Sequence, residues 1–107
     1  MAGHEQIHDF LTSHYGEMIS FLERLVCIQS GTDNKAGVDR VGEVVLREMK
    51  SLGFNCERVR NQDYGDHIIA RSPGYDPGKQ QILMTGHMDT VFPKDTSFNY
   101  FKRDDQH

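Results

Sequence analysis

Gln80-Gln81-Ile82-Leu83-Met84-Thr85-Gly86-His87-Met88-Asp89-Thr90-Val91-Phe92-Pro93 is the stretch on which the fold turns. Residues 80–86 read as a β-strand whose centre, Ile82-Leu83-Met84, is apolar on both faces. Side chains alternate across a strand, so a strand with no polar face belongs inside a sheet and not at a half-exposed edge. Its backbone groups then require a neighbour on each side. Between the strand and the Phe92-Pro93 break stand a histidine and an aspartate two residues apart. In extended backbone His87 and Asp89 point the same way.

Upstream, Pro73-Gly74-Tyr75-Asp76-Pro77-Gly78 is a strong breaker. Residues 67–72 form a second strand candidate and 55–61 a first, with Cys56 and Val59 as apolar markers. The turn formers of 62–66 lie between them, so the two are expected to pair as a hairpin. Before them, Val38, Val41, Val45, Met49 and Leu52 recur at helical spacing, which predicts a helix over 35–52. Gly53 fits the left-handed residue that closes it. Residues 29–34 read as a loop. A first helix is expected over 5–28, where Ile7, Phe10, Leu11, His14, Met18, Phe21, Leu22, Leu25 and Val26 share one stripe and Gly16 marks a bend. The order is α-α-β-β-β, an α/β pattern of two helices and then three strands of a mixed sheet. The third strand lacks flanking strands and no helix follows it, so the chain reads as interrupted.

With a net charge of −4 and no basic run, the chain has no electrostatic reason to seek nucleic acid or an anionic membrane. No apolar stretch approaches a membrane span and the N-terminus does not resemble a signal peptide. Cys27 and Cys56 are therefore expected as buried free thiols in the cytoplasm. Cys27 has no evident basic partner for nucleophilic work. His4 and His8 read as solvated, His14 as the border of the apolar stripe, and His67 as a surface residue. Phe98, Tyr100 and Phe101 fit either a pocket lining or core. Asp104 and Asp105 read as solvated charges. No Gly-rich phosphate loop joins a strand to a helix.

The spacing of His87 and Asp89 suits an imidazole that binds a metal through one nitrogen while a carboxylate holds the other, fixing the tautomer and raising ligand basicity. Its competitor is a capped turn at a strand end, with Asp89 bonding nearby amides. In context the stretch Met84 to Pro93 resembles the first metal motif of the zinc hydrolase family of acetylornithine deacetylase, succinyl-diaminopimelate desuccinylase, aminoacylase and bacterial glutamate carboxypeptidase. Residues 21–30 look like that family's first helix and its exit. Residues 46–54, ending Leu52-Gly53-Phe54, look like its second helix, and 98–105 like the approach to its next metal segment.

The resemblance implies that His87 is a direct zinc ligand and that Asp89 is the catalytic-site carboxylate that orients it. It implies two zinc ions in the complete site, with cobalt as an alternative. A bridging Asp, a Glu general base and the other ligands would all lie beyond residue 107, and His107 matches no motif. The implied reaction is hydrolysis of an amide bond in a peptide or N-acyl amino acid, with a homodimer formed through a lid domain outside this chain. Residues 1–107 would then be the incomplete N-terminal portion of a zinc-peptidase catalytic domain, inactive alone. The alternative is a truncated or degenerate, non-catalytic relative that serves only as a folding or interaction piece. The coding sequence after His107 separates the two: an Asp in a Gly-rich segment followed by paired Glu residues favours the enzyme, and a stop codon favours the alternative.

Overall fold

The structure, a computed structural model, describes residues 3–104; Asp105 and His107 lie outside them. It is an α/β arrangement of three helices followed by two antiparallel strands: α1 (His4–Ser13), α2 (Tyr15–Val26), α3 (Lys35–Ser51), β1 (Asn55–Val59) and β2 (His67–Arg71). No helix among the described residues is long and apolar enough to cross a membrane.

The third helix begins and ends where local chemistry dictates. The Asn34 side chain accepts a hydrogen bond from the Gly37 N–H at 3.2 Å and donates to the Gln29 carbonyl at 3.0 Å, which caps the first turn. At the other end Gly53 adopts φ 85°. The Gly53 and Phe54 N–H groups return to the carbonyls of Lys50 and Met49, which satisfies the last turn. The face carrying Val38, Val41 and Leu46 is buried. It packs over the β1–β2 hairpin, whose register sets Asn55 opposite Arg71 and Val59 opposite His67.

Asp66 ties the hairpin turn to α3. It is 4% exposed. Its Oδ1 accepts from the Asn61 N–H and from Lys35 Nζ, each at 2.9 Å. Its own N–H donates to Asp39 Oδ1 at 2.8 Å. Its Oδ2 has no hydrogen-bond donor and faces Arg60 Nη1 at 3.6 Å and Arg58 Nη1 at 4.0 Å. The Asn61 N–H, with Lys35 behind it, holds the Asp66 carboxyl below the usual carboxylate range.

Three expectations are corrected. The single helix over 5–28 is two helices, and the break falls at His14 (φ −102°, ψ 8°) and not at Gly16, which lies inside α2. The Phe10 carbonyl receives the His14 N–H at 3.0 Å, with Ser13 Oγ at 2.9 Å and His14 Nδ1 at 2.8 Å from the same oxygen. Side-chain competition of that kind disturbs the helical ladder. The apolar stripe of α1 and α2 is not covered: neither helix holds a buried residue, and Phe10, Met18 and Leu22 are exposed. The third strand does not form among the described residues. The sheet has two antiparallel strands, not three in a mixed sheet, and Ile82, Leu83 and Met84 are 93%, 86% and 86% exposed. With no strand edge alongside among the described residues, their N–H and C=O groups are left to solvent, and apolar content alone does not make a strand.

Two outcomes follow. Gly53→Ala forces a Cβ into left-handed backbone and should lower stability by about 1 kcal/mol in urea unfolding. Asp66 has a folded pKa below its unfolded value, so its contribution is complete above the ordinary carboxylate range and is lost as pH falls through the folded value. The urea midpoint should therefore drop as pH is lowered below about 4. Asp66→Asn should have a lower midpoint at neutral pH and a shallower acid loss. Some acid sensitivity should remain, because Asp39 and Glu43 also titrate low.

Candidate functional site

The loop before α3 carries residues 30–32 alongside Thr90. The Thr90 N–H donates to the Ser30 carbonyl at 2.8 Å and the Thr32 N–H donates to the Thr90 carbonyl at 3.0 Å, a parallel bridge centred on Gly31 and Thr90. Glycine is required at position 31, since a Cβ there would overlap the Phe92 carbonyl oxygen. Asp89 sits one residue before this bridge and His87 three before it.

The structure brings His87 and Asp89 together. His87 Nδ1 lies 2.9 Å from the Asp89 carbonyl oxygen and 3.1 Å from Asp89 Oδ1. The other carboxylate oxygen, Oδ2, accepts a hydrogen bond from Thr32 Oγ1 at 2.6 Å. That hydroxyl lies 3.2 Å from the Thr90 carbonyl as well. The Thr32 hydroxyl is the main cause that holds the Asp89 carboxyl below its usual range; partial desolvation opposes it and His87 adds to the lowering. With Nδ1 donating to Asp89, the lone pair of His87 is on Nε2, on a side chain that is 83% exposed. Chemically this is an imidazole prepared to coordinate a cation or accept a proton.

A cleft of ≈ 750 Å³ adjoins the pair, enclosed by α3, β2 and residues 84–89. Val45, Met49 and Ile68 give it an apolar wall, and Thr32, His87 and Asp89 line it. Met88 lies over Gly42 of α3. Among the described residues no group of three or more His, Cys, Asp or Glu could hold a metal ion. The donors present thus fit one ligand and its orienting carboxylate, where a catalytic zinc takes about three protein ligands.

The other residues singled out from the sequence lie elsewhere or show no chemistry of their own. His4 and His8 are exposed on α1, His14 occupies the helix break, and His67 is exposed at the start of β2. Cys27 and Cys56 are both free, but neither is buried as expected: Cys27, at the uncovered end of α2, is exposed, and Cys56, on β1, is half-buried. Phe98 and Tyr100 are exposed, with the Phe98 ring 5.3 Å from that of Phe92. Thr32, read only as part of a loop, is the neighbour of Asp89 that sequence reasoning missed. Nothing within five residues of it marks a link to a position 57 residues away.

No family model matches the chain, and no solved structure matches it. Over 85 residues, 78% of this chain, the sequence is 34% identical to a protein of Pseudomonas sp. (strain RS-16) named carboxypeptidase G2. The chain spans about a fifth (20%) of that protein's length.

Proposed function

We propose that residues 1–107 are the N-terminal part of the catalytic domain of a cytoplasmic, zinc-dependent hydrolase of amide bonds, of the metallopeptidase or deacylase type. The observation that carries this reading is the imidazole of His87, held through Nδ1 by Asp89 at 3.1 Å with Nε2 left for a metal. The likeness to a protein named carboxypeptidase supports hydrolysis of an amide bond as the reaction class. Its substrates on this reading are small peptides or N-acyl amino acids, and neither nucleic acid nor membrane is a partner. Dimerisation would use a domain outside this chain.

His87 would hold zinc through Nε2. Asp89 would keep the proton on Nδ1 and lend negative charge to the ring, which raises the basicity of Nε2. The apolar wall of the cleft, from Val45, Met49 and Ile68, would exclude water from one side of a bound substrate. When bound, zinc supplies carbonyl polarisation and activation of water. One imidazole falls short of the ligands such an ion needs, so the other donors come from the rest of the protein.

Zinc affinity of the full-length protein, measured by competition with a chromophoric chelator, tests the reading. His87→Ala should lose tight binding at that site. Asp89→Asn should weaken it by about 10–100-fold; wild-type affinity in this variant would remove the orienting role of Asp89. The 107-residue chain alone should show no zinc-dependent amide hydrolysis. Turnover by it that disappears in His87→Ala would overturn the view that the site needs further ligands.

A further inference from the structure

We propose that Thr32 is a positioning residue that fixes the rotation of the Asp89 carboxylate and, through it, one of the two acceptors that keep the proton on Nδ1 of His87. A carboxylate on a side chain that is 36% exposed is free to turn unless both oxygens are engaged. Here they are engaged by different partners: Thr32 Oγ1 at Oδ2 and, at Oδ1, His87 Nδ1, which shares its proton with the Asp89 carbonyl at 2.9 Å. The Thr32 contact is the shorter, at 2.6 Å against 3.1 Å, and falls in the range of charge-assisted O–H···O⁻ bonds. The hydroxyl has one proton, and the carboxylate takes it in preference to the Thr90 carbonyl at 3.2 Å.

Thr32 is itself well held. Its N–H is fixed on Thr90, and Gly31 before it lies against Phe92. Asn34, two residues on, caps α3, the helix that carries the buried core. A β-branched side chain has few χ1 choices, so its hydroxyl points where this backbone sends it. The exposed imidazole inherits that order at the end of the chain Thr32–Asp89–His87. The consequence for metal binding rests on the zinc reading above; the effect on the tautomer does not.

Long-range ¹⁵N–¹H correlation spectra of the 107-residue chain, recorded at about pH 9 where imidazoles are neutral, read the tautomer of each histidine, with exposed His4 as the internal reference. His87 should be the Nδ1–H form in the wild type. Thr32→Val, which keeps the shape and removes the hydroxyl, should shift His87 part of the way toward the pattern of His4, because the Asp89 carbonyl still accepts from Nδ1. Thr32→Ser should retain the wild-type pattern, and β1–β2 cross-strand contacts should be unchanged in both. The proposal is overturned if Thr32→Val keeps the wild-type tautomer with the hairpin intact, or if wild-type His87 already matches His4. In the full-length protein Thr32→Val should weaken zinc by less than the roughly 10–100-fold expected of Asp89→Asn, since it acts one step further out. Equal zinc affinity in wild type and His87→Ala, with the tautomer shift present, would support the positioning role and remove the hydrolase reading alone.

Discussion

Two backbone hydrogen bonds at Thr90, one to Ser30 and one from Thr32, tie the last third of the chain to the rest. Residues 72–104 contain no helix or strand of their own. This bridge and the Thr32 hydroxyl that reinforces it help to set their position, together with Met88 against Gly42 and Arg103 over the Tyr15 ring. A link between segments almost sixty residues apart must offset the entropy of closing the loop between them, and each hydrogen bond contributes only about 1 kcal/mol net. The ends of that loop lie close because α3 and the hairpin fold the intervening chain back on itself. Gly31 then allows the two backbones to meet without a side chain between them.

The sequence could be read wherever structure is decided locally. The bounds of α3 come from Asn34 and Gly53, each acting within a few residues, and both are visible as residue types. The hairpin of β1 and β2 follows from turn formers between two short runs. The helix break is local too, but it depends on Ser13 and His14 side chains competing for the Phe10 carbonyl, and hydrophobic periodicity carries no trace of that. Ile82-Leu83-Met84 failed as a strand for a different reason: a strand exists only with its neighbour, and a periodicity argument cannot supply one. Thr32 was hidden for the same reason. A hydroxyl in a loop acquires a role only when folding brings a carboxylate to it.

Asp66 and Asp89 show how the same side chain is put to different ends. Asp66 is buried and takes its stabilisation from a backbone N–H and from Lys35, with two arginines at longer range, so it locks the hairpin turn onto α3. Its removal would be felt across the core. Asp89 is partly exposed and meets one hydroxyl and one imidazole. Few core contacts depend on it, and what it organises is an outward-facing ring. Committing a carboxylate to an exposed imidazole makes little sense for stability, since exposed pairs contribute little. On the proposed reading, the use of the far nitrogen as a ligand accounts for the pair.

The uncovered apolar run and the undersupplied imidazole lie on one continuous segment, 82–87. On the proposed reading the two are coupled. Pairing Ile82-Leu83-Met84 with neighbouring strands would fix the backbone that delivers Gly86 and His87, and fixing His87 lowers the entropy lost when its Nε2 engages a metal. Conversely, a metal held by His87 and by ligands elsewhere in the protein would pin the end of the strand and favour its pairing. Strand formation and metal binding would then stabilise each other by linkage. The bridge at Thr90 supplies a fixed point for both, immediately after Asp89 and on the side of the loop that begins α3.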